Sequence, residues 1–308
     1  MSVPRLGFLF SVALLVAMAI PAFAQKVSPD VDTKEGIASS PEFSGMWVHP
    51  YFPGVEPPVS GPGPIFNRLH RPNGAGGAAK FVGDYTNPIL KPGAAAIVKS
   101  HGETSLANMT YPTPSNRCWP SGVPYIFFQP GVQVLQQPHQ IVFVYLRGPE
   151  FRHVRLNESH PANVTPSWYG DSVGHYEGDT LVIDTVAVKA DRPFAMVDMY
   201  GTPFSPALHV VERYRMIDYE EAQAAVARNL KENIRVPDTA SDLAYRGKRL
   251  QVAFTVEDEG VFTVPWSGVI TYERPAMEWP EIVCSENPFE FFAEKNGAFI
   301  PTANKPDF

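Results

Sequence analysis

A β-hairpin signature at residues 167–188 constrains the fold more than any other stretch of the chain. Its second half, Thr180 to Val188, is rich in the β-branched side chains that favour strands, and its first half, Trp168 to Glu177, interleaves aromatic and polar side chains. Between them, Gly178 and Asp179 are residue types that tolerate the positive φ angles of a tight turn. We therefore expect two antiparallel strands here, at the centre of an all-β domain.

Strand patterns of the same kind continue along the chain. They are separated by mostly short connections, as in an antiparallel meander, and they fall at 45–48, 125–128, 132–136, 139–147, 151–156, 166–176, 180–188, 207–217, 248–258, 262–273 and 279–284. One helix, at about 219–233, interrupts the series after the N-capping residue Asp218. The predicted fold is an antiparallel β-barrel or a strongly curved sandwich with one inserted helix.

The chain begins with the pattern of a secretory signal peptide. Residues 1–24 combine the positive charge of Arg5, an apolar run and the small-x-small sequence Ala22-Phe23-Ala24. The apolar run, Leu6 to Ile20, is shorter than the ~20 residues of a membrane span. We expect cleavage before Gln25 and a soluble protein in the periplasm or secreted, the alternative being an uncleaved anchor.

Composition divides the mature chain into four parts. Residues 25–40 are polar and aperiodic, which is typical of a disordered mature N-terminus. Residues 41–124 are dense in proline and glycine, so we expect a coil-rich arm packed on the core, with one short helix at 92–100. The β core is expected at 125–290, and 291–308 are expected to form a C-terminal tail.

The charge and motif patterns argue against some partners. The formal net charge is −7 and no basic cluster is present, so a nucleic-acid partner is not expected. No histidine or cysteine has the spacing of a metal motif, and no phosphate-binding glycine loop is present, so we predict neither a metal nor a cofactor. A small-molecule ligand or substrate is the expected partner, and the oligomeric state stays open.

Glu212 is the most informative candidate for chemistry. Strand alternation places it on the same face as Leu208, Val210, Tyr214 and Met216, which is otherwise apolar. A carboxylate in such a place needs a partner, or its pKa must rise. It is therefore either a general acid or base, or a ligand anchor, in a cavity, or else a structural group. In the structural case it is half of a buried pair with an arginine from another strand or part of a satisfied hydrogen-bond network.

Histidines and aromatic residues supply the other candidates. His153, His160, His175 and His209 fall within the β region, and His titrates near neutral pH, so a pair of them with Asp171, Glu177 or Glu212 could transfer protons. The candidate catalytic residues are Glu212, His175, Asp171, His160 and His153. The candidate substrate-binding residues are Trp168, Tyr176, Tyr214 and Trp266. For each histidine the alternative is a structural or surface role, and for each aromatic it is core packing.

Four motifs in this order resemble those of a large family of exported bacterial proteins of mostly unknown function. They are W-Y-G-D-S-V-G-H-Y-E-G-D-T-L-V-I-D-T at 168–185, L-H-V-V-E-R-Y at 208–214, F-T-V-E-D at 254–258 with F-T-V-P-W at 262–266, and V-C-S-E-N at 283–287. The resemblance covers roughly residues 41–290, and Tyr176 departs from the family's usual tryptophan. It implies export, a bacterial source and a β-rich fold similar to lipocalin-type barrels, and it implies no reaction.

Two classes of function fit these residues. The first is an exported, cofactor-independent acid/base enzyme, a lyase, isomerase or hydrolase, acting on a small apolar, aromatic or sugar-like substrate in a barrel cavity. The second is a non-catalytic periplasmic protein that binds a small ligand in the same place. A barrel of about eight strands can enclose one small ligand, which suits both classes. A histidine within hydrogen-bond reach of an inward Glu212 would favour the enzyme, and a fully apolar cavity would favour the binding protein.

The two cysteines, Cys118 and Cys284, are expected to form a disulfide, because a pair of cysteines in an oxidising compartment is usually bridged. Peptide mapping of the exported, alkylated protein without reduction should show the two cysteine peptides joined, and a reduced sample is the control. Two separate alkylated thiols would contradict the disulfide and would fit the alternative of two buried free cysteines.

Overall fold

The fold is an all-β barrel, as the sequence predicts. The computed structural model describes residues 41–49, 51–52, 55–69, 80–107, 111–146, 150–232, 236–237 and 244–275. In this part of the chain, nine strands form one nearly closed sheet and there are two α-helices. The predicted signal peptide at 1–24, the segment 25–40, the strand at 279–284, Cys284 and the tail at 291–308 lie outside the described residues.

The strands and helices follow one another in a simple order. The strands are β1 Gly45–Val48, β2 Tyr51–Phe52, β3 Gly131–Gln136, β4 Gln140–Tyr145, β5 Glu150–Leu156, β6 Asp171–Glu177, β7 Thr180–Val186, β8 His209–Ile217, β9 Val236–Pro237, β10 Arg249–Glu257 and β11 Trp266–Tyr272. The helices are α1 Pro92–Leu106 and α2 Tyr219–Glu232. Within the described residues, the two-residue strands β2 and β9 form a separate two-stranded antiparallel sheet.

The sheet closes through the N-terminal arm. Its strand order is β1-β3-β4-β5-β6-β7-β8-β10-β11, so β1 and β11 are its two edges. A bridge between Val48 of β1 and Glu273, one residue beyond β11, brings these edges together with backbone hydrogen bonds of 2.8 and 2.9 Å. Further along β11, Glu56 bridges Val269 in the same way. The arm therefore covers an edge that would otherwise be exposed.

One pair of neighbours in the barrel is parallel. β5 and β6 pair in the same direction, whereas every other pair in the nine-stranded sheet is antiparallel. The meander pattern predicted antiparallel neighbours throughout. The loop 157–170 is long enough to return the chain to the starting end of β5, which a short hairpin turn cannot do. The hairpin of β6 and β7 has a two-residue turn, in which Gly178 adopts the expected positive φ of 62°.

Side-chain alternation places the expected residues inside the barrel. On β8, Val210, Glu212 and Tyr214 are buried, and Leu208 is buried just before the strand. On β10 the four apolar residues at alternate positions, Leu250, Val252, Phe254 and Val256, are all at most 2% exposed. Large side chains fill the interior, among them Trp47, Phe143, Ile141, Leu181, Ile183 and Tyr272.

Three element predictions were wrong in detail. Residues Tyr125–Phe128 form a 3₁₀ helix rather than a strand, since a short, fully buried apolar run has no periodicity that distinguishes the two. β11 begins at Trp266 rather than 262, because Pro265 has no N–H for the ladder, and Val264 is 44% exposed instead of facing inward. Helix α1 extends to Leu106, well beyond 100, because its buried stripe continues through the polar residues His101 and Ser105.

Helix α2 and the arm cover part of the barrel's outer face. The predicted N-cap is confirmed, since Asp218 Oδ1 accepts a 2.8 Å hydrogen bond from the Glu221 amide. On this face several polar outward residues of β10 and β11 are buried, in contrast to the exposed positions expected on the outside of a barrel. They include Gln251 and Thr271, and an ion pair of 2.9 Å between Arg249 and Glu273. Among the described residues, no helix is both long and apolar enough to cross a membrane.

Candidate functional site

An ion pair between Arg152 and Glu212 lies inside the barrel. The guanidinium donates to both carboxylate oxygens, at 2.8 Å from Nη1 to Oε2 and at 2.5 Å from Nη2 to Oε1. The two side chains are 1% and 0% exposed. The hydroxyl of Tyr214 donates a third hydrogen bond to Glu212, at 2.9 Å. β5 and β8 are thereby joined across the two strands that separate them in the sheet.

Hydroxyl groups accept further hydrogen bonds from the Arg152 guanidinium. Its Nε and Nη2 donate to Ser172 at 3.2 and 3.1 Å, and Nη2 also donates to Thr185 at 2.7 Å. Burial alone would lower the pKa of Arg152, but the adjacent Glu212 carboxylate outweighs burial and raises it. The geometry matches the structural alternative for Glu212, a buried pair with an arginine from another strand. An acid/base role for Glu212 stays a prediction.

Two of the predicted catalytic residues, His160 and Asp171, do meet. His160 lies on the loop 157–170, and its Nδ1 is 2.6 Å from Asp171 Oδ2 at the start of β6. Its Nε2 is 3.1 Å from Asp184 on β7, and the same carboxylate oxygen lies 3.1 Å from Nε2 of His209 on β8. Arg155 clamps Asp171 from the other side with hydrogen bonds of 2.7 and 3.1 Å. These groups form a chain of alternating basic and acidic side chains on the outer face of the barrel.

This surface chain is better suited to hold the loop than to move protons to a substrate. An imidazole that faces a carboxylate oxygen with each nitrogen can donate to both only as an imidazolium, and then it has no lone pair to act as a base. His160 is in that position between Asp171 and Asp184. The Arg155 hydrogen bonds, more than offsetting the effect of burial, hold the pKa of Asp171 below its usual value, so this carboxylate stays charged.

Apart from Tyr214, which donates to Glu212, the other predicted site residues do not converge with this chain or with one another. His175 is exposed and 3.1 Å from Glu177, and His153 is exposed on the outer face of β5. Tyr176 accepts a hydrogen bond of 2.9 Å from Gln136. Tyr214 and Trp266 are buried, and Trp266 packs edge-on against Phe254 and Phe262.

Trp168, the remaining aromatic candidate, lies at one end of the barrel near a buried carboxyl. The Arg192 guanidinium is 4.8 Å from the Trp168 ring. Nearby, Glu150 accepts hydrogen bonds of 2.9 and 3.2 Å from Ser121 and of 3.3 Å from Gln129. Burial, only partly offset by the Ser121 donors and the Arg192 charge, raises the pKa of Glu150 to about 7. Sequence patterns missed this group because Glu150 begins a strand and resembles an ordinary strand-end charge.

A groove of about 280 Å³ opens on the outer face of the barrel, away from these candidates. Its floor is the outward side of β8, β10 and β11, where Val211, Ala253 and Val269 present apolar side chains. The arm contributes Pro58 and Val59, and α2 contributes charged side chains. The volume is near the lower end of the range for small-ligand sites, ~300–1,000 Å³.

The charged lining of the groove is mainly positive. Three arginines, Arg213, Arg215 and Arg228, and one glutamate, Glu221, leave two positive charges in excess. The whole chain carries a net charge of −7, so this local excess is opposite in sign. Arg215 is paired with Glu221, and Arg213 with Glu177 outside the groove. The Nε of Arg228 is buried and makes no hydrogen bond within the described part of the chain.

Sequence reasoning missed the groove but found some of its residues. Strand alternation from the inward Glu212 puts Arg213 and Arg215 on the outer face of β8, where the structure has them. It could not place Arg228, since nothing in the sequence shows that α2 folds back over β10 and β11. In the described residues, no three His, Cys, Asp or Glu side chains converge as ligands for a metal ion.

Comparison of the chain with family models, with curated proteins and with solved structures finds no match in any of the three. The resemblance to exported bacterial proteins therefore stays an expectation that rests on the four motifs alone. Cys284 lies outside the described residues, so the disulfide with Cys118 also stays a prediction.

Glu212→Gln should destabilise the protein strongly, because it leaves the buried Arg152 guanidinium without its counter-charge. Removing one member of a buried pair typically costs about 3–5 kcal/mol in free energy of unfolding. Denaturant unfolding measures this loss. Glu158→Gln is the matched control, since Glu158 is 55% exposed where it pairs with Arg155 and should contribute no more than about 1 kcal/mol. A Glu212→Gln protein with normal stability would show that the pair does not support the barrel.

His209 should make stability depend on pH. Burial lowers the pKa of His209, but Asp184 and Glu257 outweigh burial and raise it above its ordinary 6.5. The contribution of the charged imidazole is therefore fully present below pH 6.5 and is lost as the pH rises through the raised pKa. His209→Gln should reduce the free energy of unfolding more at acidic pH than at alkaline pH. When Asp184 is also replaced by Asn, the effect of His209→Gln should depend less on pH. If His209→Gln lowered the free energy of unfolding equally at acidic and alkaline pH, the proposed electrostatic contribution of His209 would be contradicted.

Proposed function

We propose that this protein is an exported, non-catalytic binding protein for a small organic anion with an apolar body, and that the ligand lies in the outer groove. The observation that carries the proposal is the combination of an apolar floor with an excess of arginine charge. The residues at 1–24, with the pattern of a signal peptide, support export to the periplasm or secretion. The alternative of an acid/base enzyme is less well supported, because Arg152 and Tyr214 occupy the Glu212 carboxylate.

The groove lining matches each part of such a ligand. Val211, Ala253 and Val269 offer an apolar surface for a ring or a short hydrocarbon. Arg228 offers a guanidinium that, at its buried Nε, has no hydrogen bond within the described residues. An arginine can bind a carboxylate or sulfonate through two parallel hydrogen bonds, which are stronger than neutral ones. A cation in a partly buried groove also attracts an anion more strongly than one on the open surface.

A pair of fluorescent probes tests the proposal from the ligand's side. The first is 8-anilinonaphthalene-1-sulfonate, an aromatic anion, and the second is N-phenyl-1-naphthylamine, which has the same apolar body without the sulfonate. We expect the anion to bind folded protein with one-to-one stoichiometry and more tightly than the neutral probe. Near-ultraviolet circular dichroism must show native packing, because loosely packed proteins also bind the anionic probe. Equal binding of the two probes would contradict recognition of the charge.

Arg228→Gln tests the proposal from the protein's side. A hydrogen bond to a charged group contributes about 1.5–3 kcal/mol, so affinity for the anionic probe should fall roughly 10- to 100-fold. Affinity for the neutral probe should barely change. Lys99→Gln is the matched control, because it removes the same charge from α1, outside the groove, where Lys99 is 51% exposed. An Arg228→Gln protein that binds the anion like the wild type would sink the proposal.

Two further variants test whether the probes bind in the groove. Ala253→Trp adds a large ring to the floor and should block both probes. Glu221→Gln removes the carboxylate that competes for Arg215, so it should tighten binding of the anion and leave the neutral probe unaffected. Unchanged binding in both variants would show that the probes bind elsewhere.

A further inference from the structure

Glu56 is a buried carboxyl group on the outer face of the barrel, next to the groove. Its backbone bridges Val269 of β11, with hydrogen bonds of 2.8 and 2.9 Å, and its side chain is 0% exposed. Oε2 accepts a hydrogen bond of 2.8 Å from the Thr271 hydroxyl. Oε1 has no hydrogen-bond partner within the described part of the chain. A buried carboxyl oxygen without a partner is unusual, since such groups are normally satisfied.

A continuous hydrogen-bond chain joins Glu56 to the groove. Thr271, which donates to Glu56, accepts from Gln251 Nε2 at 3.3 Å. Gln251 lines the groove, and its Oε1 accepts from Arg215 Nη2 at 3.0 Å. On the other side, the charge of Arg228 acts on Glu56. Glu56 is therefore linked to two of the three arginines that line the groove.

The groups around Glu56 leave Arg228 as its main source of positive charge. On β10 and β11, Arg249 and Glu273 neutralise each other at 2.9 Å. Burial raises the pKa of the neighbouring Tyr272, so this phenol is uncharged. His49 packs edge-on against Tyr272, and burial lowers the pKa of its imidazole to about 3, so it is uncharged as well.

Burial dominates over these contacts. It raises the pKa of Glu56 to about 8, although the Thr271 hydrogen bond and the Arg228 charge both act to lower it. At neutral pH, Glu56 is thus mainly a neutral carboxylic acid. When Glu56 loses its proton, its negative charge acts on Arg228, the same groove cation that a bound anion would use.

We propose that Glu56 competes with the ligand for Arg228, so that the groove binds an organic anion only while Glu56 carries a proton. The inference rests on the proposed function and adds its regulation. Neutral Glu56 leaves the Arg228 charge to the ligand, whereas ionised Glu56 neutralises that charge and repels the ligand. Linkage requires the reverse effect too: a bound anion favours the protonated form of Glu56, so binding takes up a proton when the free protein has lost it.

The pH dependence of binding tests this competition. The sulfonate of 8-anilinonaphthalene-1-sulfonate stays charged throughout, so a pH effect reports on the protein. If the protein binds the anion only while Glu56 is protonated, the apparent Kd should not change with pH near pH 6. Above the pKa of Glu56 it should rise about tenfold per pH unit. Glu56→Gln keeps the shape and a neutral side chain, and it should bind at pH 9 with the affinity that the wild type has at pH 6. A flat wild-type profile, or an equal slope in Glu56→Gln, would overturn the proposal.

Calorimetry of the wild type provides a measurement that needs no variant. Titrations with the anionic probe at pH 8.5, in two buffers of different ionisation enthalpy, count the protons taken up on binding. We expect uptake of a substantial fraction of one proton at pH 8.5 and almost none at pH 6, and no uptake at either pH would overturn the competition. If the anion binds at pH 6 in a way that requires Arg228, but with the same affinity at pH 9, the proposed function stands and only the role of Glu56 is rejected. Failure of the anion to bind at pH 6 would reject both.

Discussion

The ion pair between Arg152 and Glu212 is the interaction on which the barrel interior depends. Two charges in a nonpolar interior lose several kcal/mol of hydration each, and they regain it only when the geometry is good and every remaining donor is satisfied. Here the contact is bidentate, and the hydroxyls of Ser172 and Thr185 accept further hydrogen bonds from the guanidinium. A shift of β5 or β8 by one residue would turn its charged member outward. The pair thus fixes the register of the strands between them as well.

Three buried glutamates show how the surroundings decide the charge of one side-chain type. Glu212 faces a guanidinium directly and has a charged partner for both oxygens. Glu150 is held by Ser121 and Gln129, which are neutral donors, and its pKa rises to about 7. Glu56 has one hydroxyl donor, and its pKa rises to about 8. The fewer the strong donors that compensate burial, the more the neutral acid is favoured.

The sequence predicts the fold well where a local rule applies. Side chains alternate between the two faces of a strand, so once one inward residue of β8 or β10 is known, the other inward positions are known too. The buried position of Glu212 is predicted in this way. A partner on another strand depends on sheet order and register, which alternation does not contain. Arg152 could be anticipated as a type of residue but not by number. The same holds for Asp184 and His209, whose contacts with His160 require β7, β8 and the loop 157–170 to come together.

The candidate groove depends on contacts that are still less local. Its floor would be a solvent-exposed sheet face if α2 and the arm did not fold over it, and α2 alone looks like an ordinary amphipathic helix with acids in its first turn. The arm looks like coil because of its prolines and glycines. Only their packing on β10 and β11 turns polar outward residues such as Gln251 and Thr271 into buried ones.

The position of Glu56 follows from the way in which the barrel is closed. The free edge of β11 must be covered, and the arm covers it by antiparallel bridges at Val48 and at Glu56. Because side chains alternate along an extended segment, Val55 points toward the core next to Gly268, and Glu56 points to the other side, where it accepts a hydrogen bond from Thr271. The large side chains inside the barrel leave the outer face as the place for a ligand. The segment that completes the barrel therefore also brings an ionisable group to the edge of the proposed binding groove.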